Sequence, residues 1–323
     1  MFFFKSSKPF DPDKDIPSLE GKVILVTGGN IGLGKQAILE YARHNPRQIW
    51  LAARNLDKAK ATVDEIRQQV QGAPPIKILQ MDLVSFESVK KAADVFAAES
   101  DRLDILMLNA GIVASAPGLT KEGYEMQFRT NHMGHALLTR LLMPILEKTA
   151  QGSADADVRI VSLSSAGHNM APTGGIVFES LKTEARGLGP LGRYSQSKLA
   201  NLLFARHVAK RYPQFTVSAI HPGLVHTNIA AGASGVPSVV RMLARFVSPL
   251  LTSVEDGAKN QLWASVSSDV QSGEYYEPIG IAGKCSALGK DDDLAKKLWD
   301  WTEKELDAHV KTPAAGKTRS SNL

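Results

Sequence analysis

Tyr194 and Lys198 stand four residues apart in Arg193-Tyr194-Ser195-Gln196-Ser197-Lys198-Leu199-Ala200-Asn201. On a helix, positions i and i+4 share one face. An ammonium beside a phenol favours the phenolate and pulls the tyrosine pKa down from about 10. Such a tyrosine can give and take protons near neutral pH. The spacing by itself is common and carries little meaning. Here a serine pair, Ser164-Ser165, and a glycine-rich turn precede it, in the order that hydride transfer requires.

The turn is Thr27-Gly28-Gly29-Asn30-Ile31-Gly32-Leu33-Gly34-Lys35, directly after the apolar run Val23-Ile24-Leu25-Val26. Glycines permit a tight turn and a close backbone approach to a pyrophosphate. The helix that follows supplies free N–H groups and a partial positive charge. The spacing is G-x-x-x-G-x-G, and its strand–turn–helix context favours nucleotide binding over a turn alone.

The second expected strand ends in Leu51-Ala52-Ala53-Arg54-Asn55. A carboxylate there would accept from the ribose 2′-OH of NAD, whereas an arginine suits the 2′-phosphate of NADP. With Arg54 and no acid, NADP (NADPH) is expected over NAD; the plain alternative is a solvated loop arginine. Asp82, just past the third strand, either accepts from an adenine amino group or merely flanks a helix. Asn109-Ala110-Gly111, ending the fourth strand, lies where such sheets bind ligands or is only a turn.

These groups need a scaffold, and strands alternate with helices from Lys22 onward. Strands are expected at Val23–Val26, 48–53, 76–80, 103–108, 158–163, 215–220 and Tyr275-Tyr276. Helices are expected over 34–44, 56–70, 86–99 (capped by Ser85), 122–148 (interrupted near Pro144), 194–211, 239–251, 254–267 and 292–309. Buried apolar strands alternating with helices imply an α/β fold, a Rossmann-type doubly wound parallel sheet in a single domain. Residues 1–20 read as an arm, 21–310 as the catalytic domain and 311–323 as a polar tail.

Composition narrows the class. The 323 residues are 43% apolar with a net charge of +5, as in a globular protein with a sizeable core. The basic residues are scattered, so nucleic acid is not an expected partner. Cys285 is the single cysteine, which excludes an intramolecular disulfide and fits a reducing compartment. Met1-Phe2-Phe3-Phe4-Lys5 is too short to span a bilayer. No integral membrane segment is expected, and the expected location is cytoplasmic. The histidines His132, His135, His168, His221 and His226 form no familiar ligand spacing, so no metal is expected. His132 and His135, three apart, read as packing or surface residues. No G-x-S-x-G elbow surrounds Ser165, against a hydrolase.

Taken together, Thr27-Gly28, Gly32-x-Gly34, Asn109-Ala110-Gly111, Asn131, Ser165, Tyr194-x-x-x-Lys198 and Pro222-Gly223 resemble the short-chain dehydrogenase/reductase family, in family order over residues 20–230. Asn131-His132-Met133-Gly134-His135 and Ser195 to Asn201 look most like the retinol-dehydrogenase-like branch. The opening Lys22 to Asn30 and the late Ser272-Gly273-Glu274-Tyr275-Tyr276 look like its fungal members, several of which act in secondary-metabolite pathways.

The resemblance implies that Tyr194 is the acid in ketone reduction and the base in alcohol oxidation. Lys198 would lower its pKa and hold the nicotinamide ribose. Ser165 would bond the substrate oxygen; Ser164 would point the other way along the strand. Asn131 would organise its helix and a water relaying protons to Lys198. Ile31 and Leu33 would touch the cofactor beside Gly28, Gly32 and Gly34, and Val225 and Thr227 would face the nicotinamide carboxamide. The alternatives are a non-catalytic dinucleotide-binding scaffold and an isomerase or dehydratase on the same fold.

Ser165 and Tyr194 are 29 positions apart, longer than is usual in the family. The inserted stretch lies over the site or beside the tyrosine helix, where it could block a helix-mediated dimer; monomer and homodimer both stay open. The segments 114–119, 168–190 and 224–251, with Met170, Phe178, Val236, Met242, Leu243 and Phe246, are expected to favour a small apolar carbonyl or alcohol substrate.

Overall fold

The computed structural model describes residues 9–153, 156–225, 235 and 252–310. Among these, seven strands form one parallel sheet: β1 Val23–Thr27, β2 Gln48–Ala53, β3 Ile76–Gln80, β4 Ile105–Leu108, β5 Arg159–Leu163, β6 Thr216–Ile220 and β7 Tyr275–Tyr276, in the order β3-β2-β1-β4-β5-β6-β7. The helices are α1 Pro12–Asp15, α2 Gly32–Arg43, α3 Leu56–Gln69, α4 Phe86–Glu99, α5 Gly134–Gln151, α6 Gly189–Arg211, α7 Val254–Val266 and α8 Asp292–Val310. The expected helix at 239–251, the phenylalanines of residues 2–4 and the tail 311–323 fall outside the described residues.

Successive strand residues point to opposite faces, and the packing follows that rule. Val23 and Leu25 enter one core with α4, α5, α6 and α8. Ile24 and Val26 enter the other with α2, α3 and α7. A sheet covered on both faces explains why its strands read as continuous apolar runs. The chain runs outward from β1 to β3, then returns to place β4 against the other side of β1. That reversal opens a crevice at the carboxyl ends of β1 and β4.

Local signals set several boundaries. Asn55 and Ser85 cap α3 and α4 by accepting from the N–H of Lys58 and Ser88. α6 starts five residues before Tyr194 because Pro190 fits a first helical turn. The stretch expected as one helix over 122–148 differs. Pro144 lies inside α5 without ending it, and the break comes earlier, at a π-turn over Arg129–Met133. There the Gly134 N–H reaches the Arg129 carbonyl, one residue beyond α-helical reach. Gly134 is needed next to it: a Cβ there would stand 2.7 Å from the Leu83 carbonyl oxygen.

α8 lies across the outer faces of α5 and α6. Arg140 pairs with Glu303 and Asp307, His132 with Thr302, and Arg206 with Asp292. Within the expected arm, Phe10, Ile16 and Leu19 are buried in the second core, and the Leu19 N–H bonds the His44 carbonyl. Residues 9–20 therefore pack on the domain. Truncating Leu19 to Ala removes core contacts without touching that backbone bond. It is expected to lower unfolding free energy by about 2–5 kcal/mol in urea titrations, whereas a detached arm would show no change.

Candidate active site

A cleft of about 830 Å³ runs along the carboxyl ends of the strands. It is lined at one end by Gly28, Ile31, Gly32, Leu33, Arg54 and Asp82. At the other end are Ser165, Tyr194, Lys198 and Val225, with Asn109 between. Thr227 and His226 lie outside the described residues. Asn131 stands behind the wall, and Gly34 beneath the loop. Of the residues expected to shape a substrate pocket, Met170 lines the cleft. Phe178 does not: it packs beside Trp301 of α8 with Lys297 over its ring. Val236, Met242, Leu243 and Phe246 lie outside the described residues.

The loop geometry explains its glycines. Gly32 has φ +54°, a left-handed conformation that suits a residue without Cβ. At Gly34 a Cβ would stand 2.4 Å from the Gly28 carbonyl oxygen and 2.6 Å from Asn109 Nδ2. Asn109 Nδ2 donates to the Thr27 carbonyl at 2.8 Å, so this side chain secures the strand end from which the loop departs. Arg54 is exposed on the cleft. Asp82 Oδ1 accepts from the Val84 N–H at 3.0 Å, which supports its own turn as well as facing the cleft.

Tyr194 and Lys198 sit on α6 as the i,i+4 spacing requires. Ser165 follows β5, and its hydroxyl accepts from the Gly167 N–H at 3.0 Å; it lies on the Tyr194 side of the cleft, since a Cβ on Gly167 would stand 3.2 Å from both Ser165 Oγ and Tyr194 Cε1. Ser164 turns the other way and donates to the Lys198 carbonyl at 2.8 Å. Lys198 Nζ donates to the Leu163 carbonyl at 2.8 Å and stands 5.8 Å from the Tyr194 ring centre. The electrostatics correct one expectation. Burial pushes the Tyr194 phenol up, with the nearby Ser165 hydroxyl acting in the opposite sense. Burial also brings the Lys198 ammonium down to about 8. Among the protein groups, desolvation therefore outweighs any pull of Lys198 on the phenol, because the ammonium is directed at a backbone carbonyl.

Asn131 is fully buried in the π-turn. Its Oδ1 accepts from the Ile112 N–H at 2.8 Å, and its Nδ2 donates to the Ile112 carbonyl at 2.9 Å and to Ser197 Oγ at 2.9 Å. Ser197 in turn donates to the Tyr194 carbonyl at 2.7 Å. The amide thus joins the chain after β4 to the tyrosine helix. Gly111 leaves the space in front open: a Cβ there would come 3.2 Å from Asn131 Oδ1 and 3.4 Å from Lys198 Nζ.

Several contributors were not singled out by type or spacing. Ser197 and Asn201 lie one and two helical steps from Tyr194, and Asn201 Nδ2 joins Lys198 on the Leu163 carbonyl at 3.1 Å. Their position in the tyrosine helix was the available signal. His168 is buried and donates from Nδ1 to the Ser165 carbonyl at 2.7 Å while Nε2 accepts from the Ser286 N–H at 3.2 Å; its partner lies 118 residues away, beyond any local pattern. The inserted stretch sits beside the tyrosine helix, held by the Val177 N–H on Gln196 Oε1 at 2.7 Å. Cys285 is half-buried, and burial raises its thiol to about 11, against a nucleophilic role.

Lys198 should consequently titrate near pH 8 in the protein without nucleotide, well below the usual ~10.4. NMR of lysines labelled with carbon-13 at Cε would show one resonance moving in that range. Its disappearance in Lys198→Met identifies it, and a titration above pH 10 would contradict the burial seen here.

The family model of the short chain dehydrogenases matches residues 22–189. The chain is 38% identical over 305 residues to the short-chain dehydrogenase/reductase drtF of Aspergillus calidoustus, covering 90% of this chain and 95% of that one. It is 34% identical to retinol dehydrogenase 11 of Mus musculus, covering 87% and 85%. A solved structure from Mycobacterium paratuberculosis superposes with a TM-score of 0.70 at 29% identity over 92% of this chain and 97% of its own. A short chain dehydrogenase of Escherichia coli CFT073, solved with NADPH, shares the fold with a TM-score of 0.60 at 22% identity, over 81% and 98%. Its relatives thus include fungal short-chain dehydrogenases and retinol-dehydrogenase-like proteins. With a parallel sheet, a glycine loop at its switch point and the tyrosine helix beside it, the chain belongs to the short-chain dehydrogenase/reductase family of oxidoreductases.

Proposed function

We propose that the protein is an NADP-dependent oxidoreductase that interconverts a carbonyl and an alcohol on a fairly apolar substrate. The observation that carries this reading is that Ser165, Tyr194 and Lys198 line one cleft continuous with the glycine loop, with Ser165 Oγ and Tyr194 Cε1 each 3.2 Å from where a Cβ on Gly167 would stand. The loop fits a dinucleotide, since Gly28, Ile31, Gly32 and Leu33 line the cleft beside Arg54 and Asp82, and Gly34 without a Cβ lets the loop close down on Gly28 and Asn109. Gly28, Ile31, Gly32, Leu33 and Gly34 would hold the pyrophosphate region, Arg54 the 2′-phosphate, and Asp82 the adenine. Asn109 would steady the loop, with Val225 and Thr227 beside the carboxamide.

Bound there, the nicotinamide supplies or accepts the hydride. In reduction, Ser165 and Tyr194 donate to the carbonyl oxygen, and the Tyr194 proton passes to that oxygen as negative charge builds. Burial keeps Tyr194 protonated near neutrality, which suits the acid. Lys198, largely charged below its pKa of about 8, compensates the phenolate left behind and binds the ribose. Asn131 fixes α6 relative to the chain after β4 through Ser197 and Ile112. Exposed Met170, Leu191 and Leu224 on the cleft favour an apolar substrate, a secondary metabolite being one class. On this reading the enzyme is cytoplasmic and a monomer or homodimer.

Titration with NADPH and NADH, followed by nicotinamide absorbance over a panel of apolar ketones and aldehydes, tests the whole reading. NADPH oxidation on a carbonyl is the expected result. Tight binding without oxidation on any couple in either direction would favour a scaffold or a non-redox isomerase. Tyr194→Phe should bind NADPH within about twofold of the parent and lose roughly 10²–10⁴ in kcat; normal turnover would sink the assigned acid. Arg54→Ala should weaken NADPH roughly tenfold or more, the loss of a charge-assisted bond, and leave NADH unchanged. Equal loss for both would remove Arg54 from cofactor choice.

A further inference from the structure

His135, which the mechanism above does not use, is buried with 3% of its surface exposed between two polar partners. Nδ1 is 3.0 Å from the Asn131 carbonyl oxygen, and Nε2 is 2.9 Å from Thr27 Oγ1. A carbonyl can only accept, so Nδ1 carries the proton and Nε2 presents a lone pair. The Thr27 hydroxyl must then donate to Nε2. It is free to do so because it receives the Ala110 N–H at 2.9 Å, and its other acceptor, the Met107 carbonyl, is farther at 3.5 Å. Every group in this chain is satisfied in one sense only: Ala110 N–H to Thr27 Oγ, Thr27 O–H to His135, His135 N–H to the Asn131 carbonyl. Burial lowers His135 to about 4, with the Lys198 charge acting in the same direction, so the neutral ring persists at working pH.

The two ends of the chain matter for chemistry. Thr27 is the last residue of β1, directly before Gly28, and Asn131 is the residue whose amide reaches Ile112 and Ser197. Its neighbour His132 serves a different purpose, bonding Thr302 of α8 at 3.0 Å.

We propose that His135 is a positioning residue of the active site: a single-tautomer imidazole that ties the π-turn bearing Asn131 to the strand end that opens the nucleotide loop. This rests on the oxidoreductase reading for its kinetic consequences, though not for its hydrogen-bond pattern. Removing the ring takes the side-chain donor from the Asn131 carbonyl and leaves the Thr27 hydroxyl only the 3.5 Å donation to Met107, so the π-turn and the loop lose their common reference.

The test combines two readouts on the full-length protein. With nitrogen-15 histidine labelling at pH 7, the His135 resonances, assigned through His135→Asn, should show a protonated Nδ1 and an unprotonated Nε2. The opposite tautomer would overturn the proposal whether or not the protein turns over any substrate.

In kinetics, His135→Phe keeps an aromatic ring, larger than the imidazole, and loses both bonds. It should lower kcat roughly tenfold or more, with KM for the carbonyl within about threefold, and weaken NADPH severalfold. His135→Asn restores a donor near the Asn131 carbonyl and should recover part of kcat. Thr27→Val should weaken NADPH and, combined with His135→Phe, cost less than the product of the two single effects; Thr27→Ser should recover the parent behaviour. Should His135→Phe fail to fold, the Thr27 pair and His135→Asn still decide. A folded His135→Phe with unchanged kcat and NADPH affinity, or full multiplicativity with Thr27→Val, would overturn the proposal. Absence of turnover in the parent would instead count against the oxidoreductase reading, with the tautomer and the NADPH cycle still deciding the role of His135.

Discussion

Much of the site depends on keeping an ammonium almost out of water at the end of β5. Lys198 is 4% exposed, and its Nζ bonds the Leu163 carbonyl. A buried charge is costly unless it is hydrogen-bonded, and the surroundings answer that cost. Asn201 shares the same carbonyl, Ser164 fixes the Lys198 backbone, and Ser197 joins Asn131 to Tyr194. These contacts set the distance between α6 and β5, and with it the distance between the tyrosine and the serine. A charge placed this way responds to its environment, which is why it stands near the physiological range.

What could be read along the chain was local. The glycine loop, the i,i+4 pair and the caps at Asn55 and Ser85 depend on neighbours a few residues away, and the alternation of strands and helices set the parallel sheet. The irregular parts depend on partners far off. The π-turn at Arg129–Met133 has no sequence mark as plain as a proline, so Pro144 drew the expected break although α5 accommodates it. Prolines and charges mark residues 1–20 as an arm, and Phe10, Ile16 and Leu19 within it reach the second core. The sign of the Tyr194 shift was missed for a similar reason. Spacing places an ammonium near a phenol, yet only the fold shows that Nζ is aimed at Leu163 and that both groups are dry.

The C-terminal helix has a place in the site that its composition does not advertise. α8 reads as an amphipathic surface helix, and its polar residues turn out to be fasteners. Thr302 holds His132 within the π-turn, and Glu305 accepts from the Tyr124 hydroxyl at 2.6 Å. Trp301 packs at right angles to Phe128. The helix braces the segment leading into Asn131, with His132 of the same turn held by Thr302, 170 positions away in sequence.

The sheet also divides the molecule's future. Side chains that anchor the nucleotide loop and α2 sink into one core, whereas those beneath Asn131, Tyr194 and Lys198 sink into the other. Residues in separate cores share few contacts, and distant changes combine nearly independently. A lineage can thus repack the half beneath the glycine loop while the half beneath Tyr194 and Lys198 stays fixed, or the reverse. The strand ends where Thr27 meets His135 are one of the few places where drift on one side is answerable to the other.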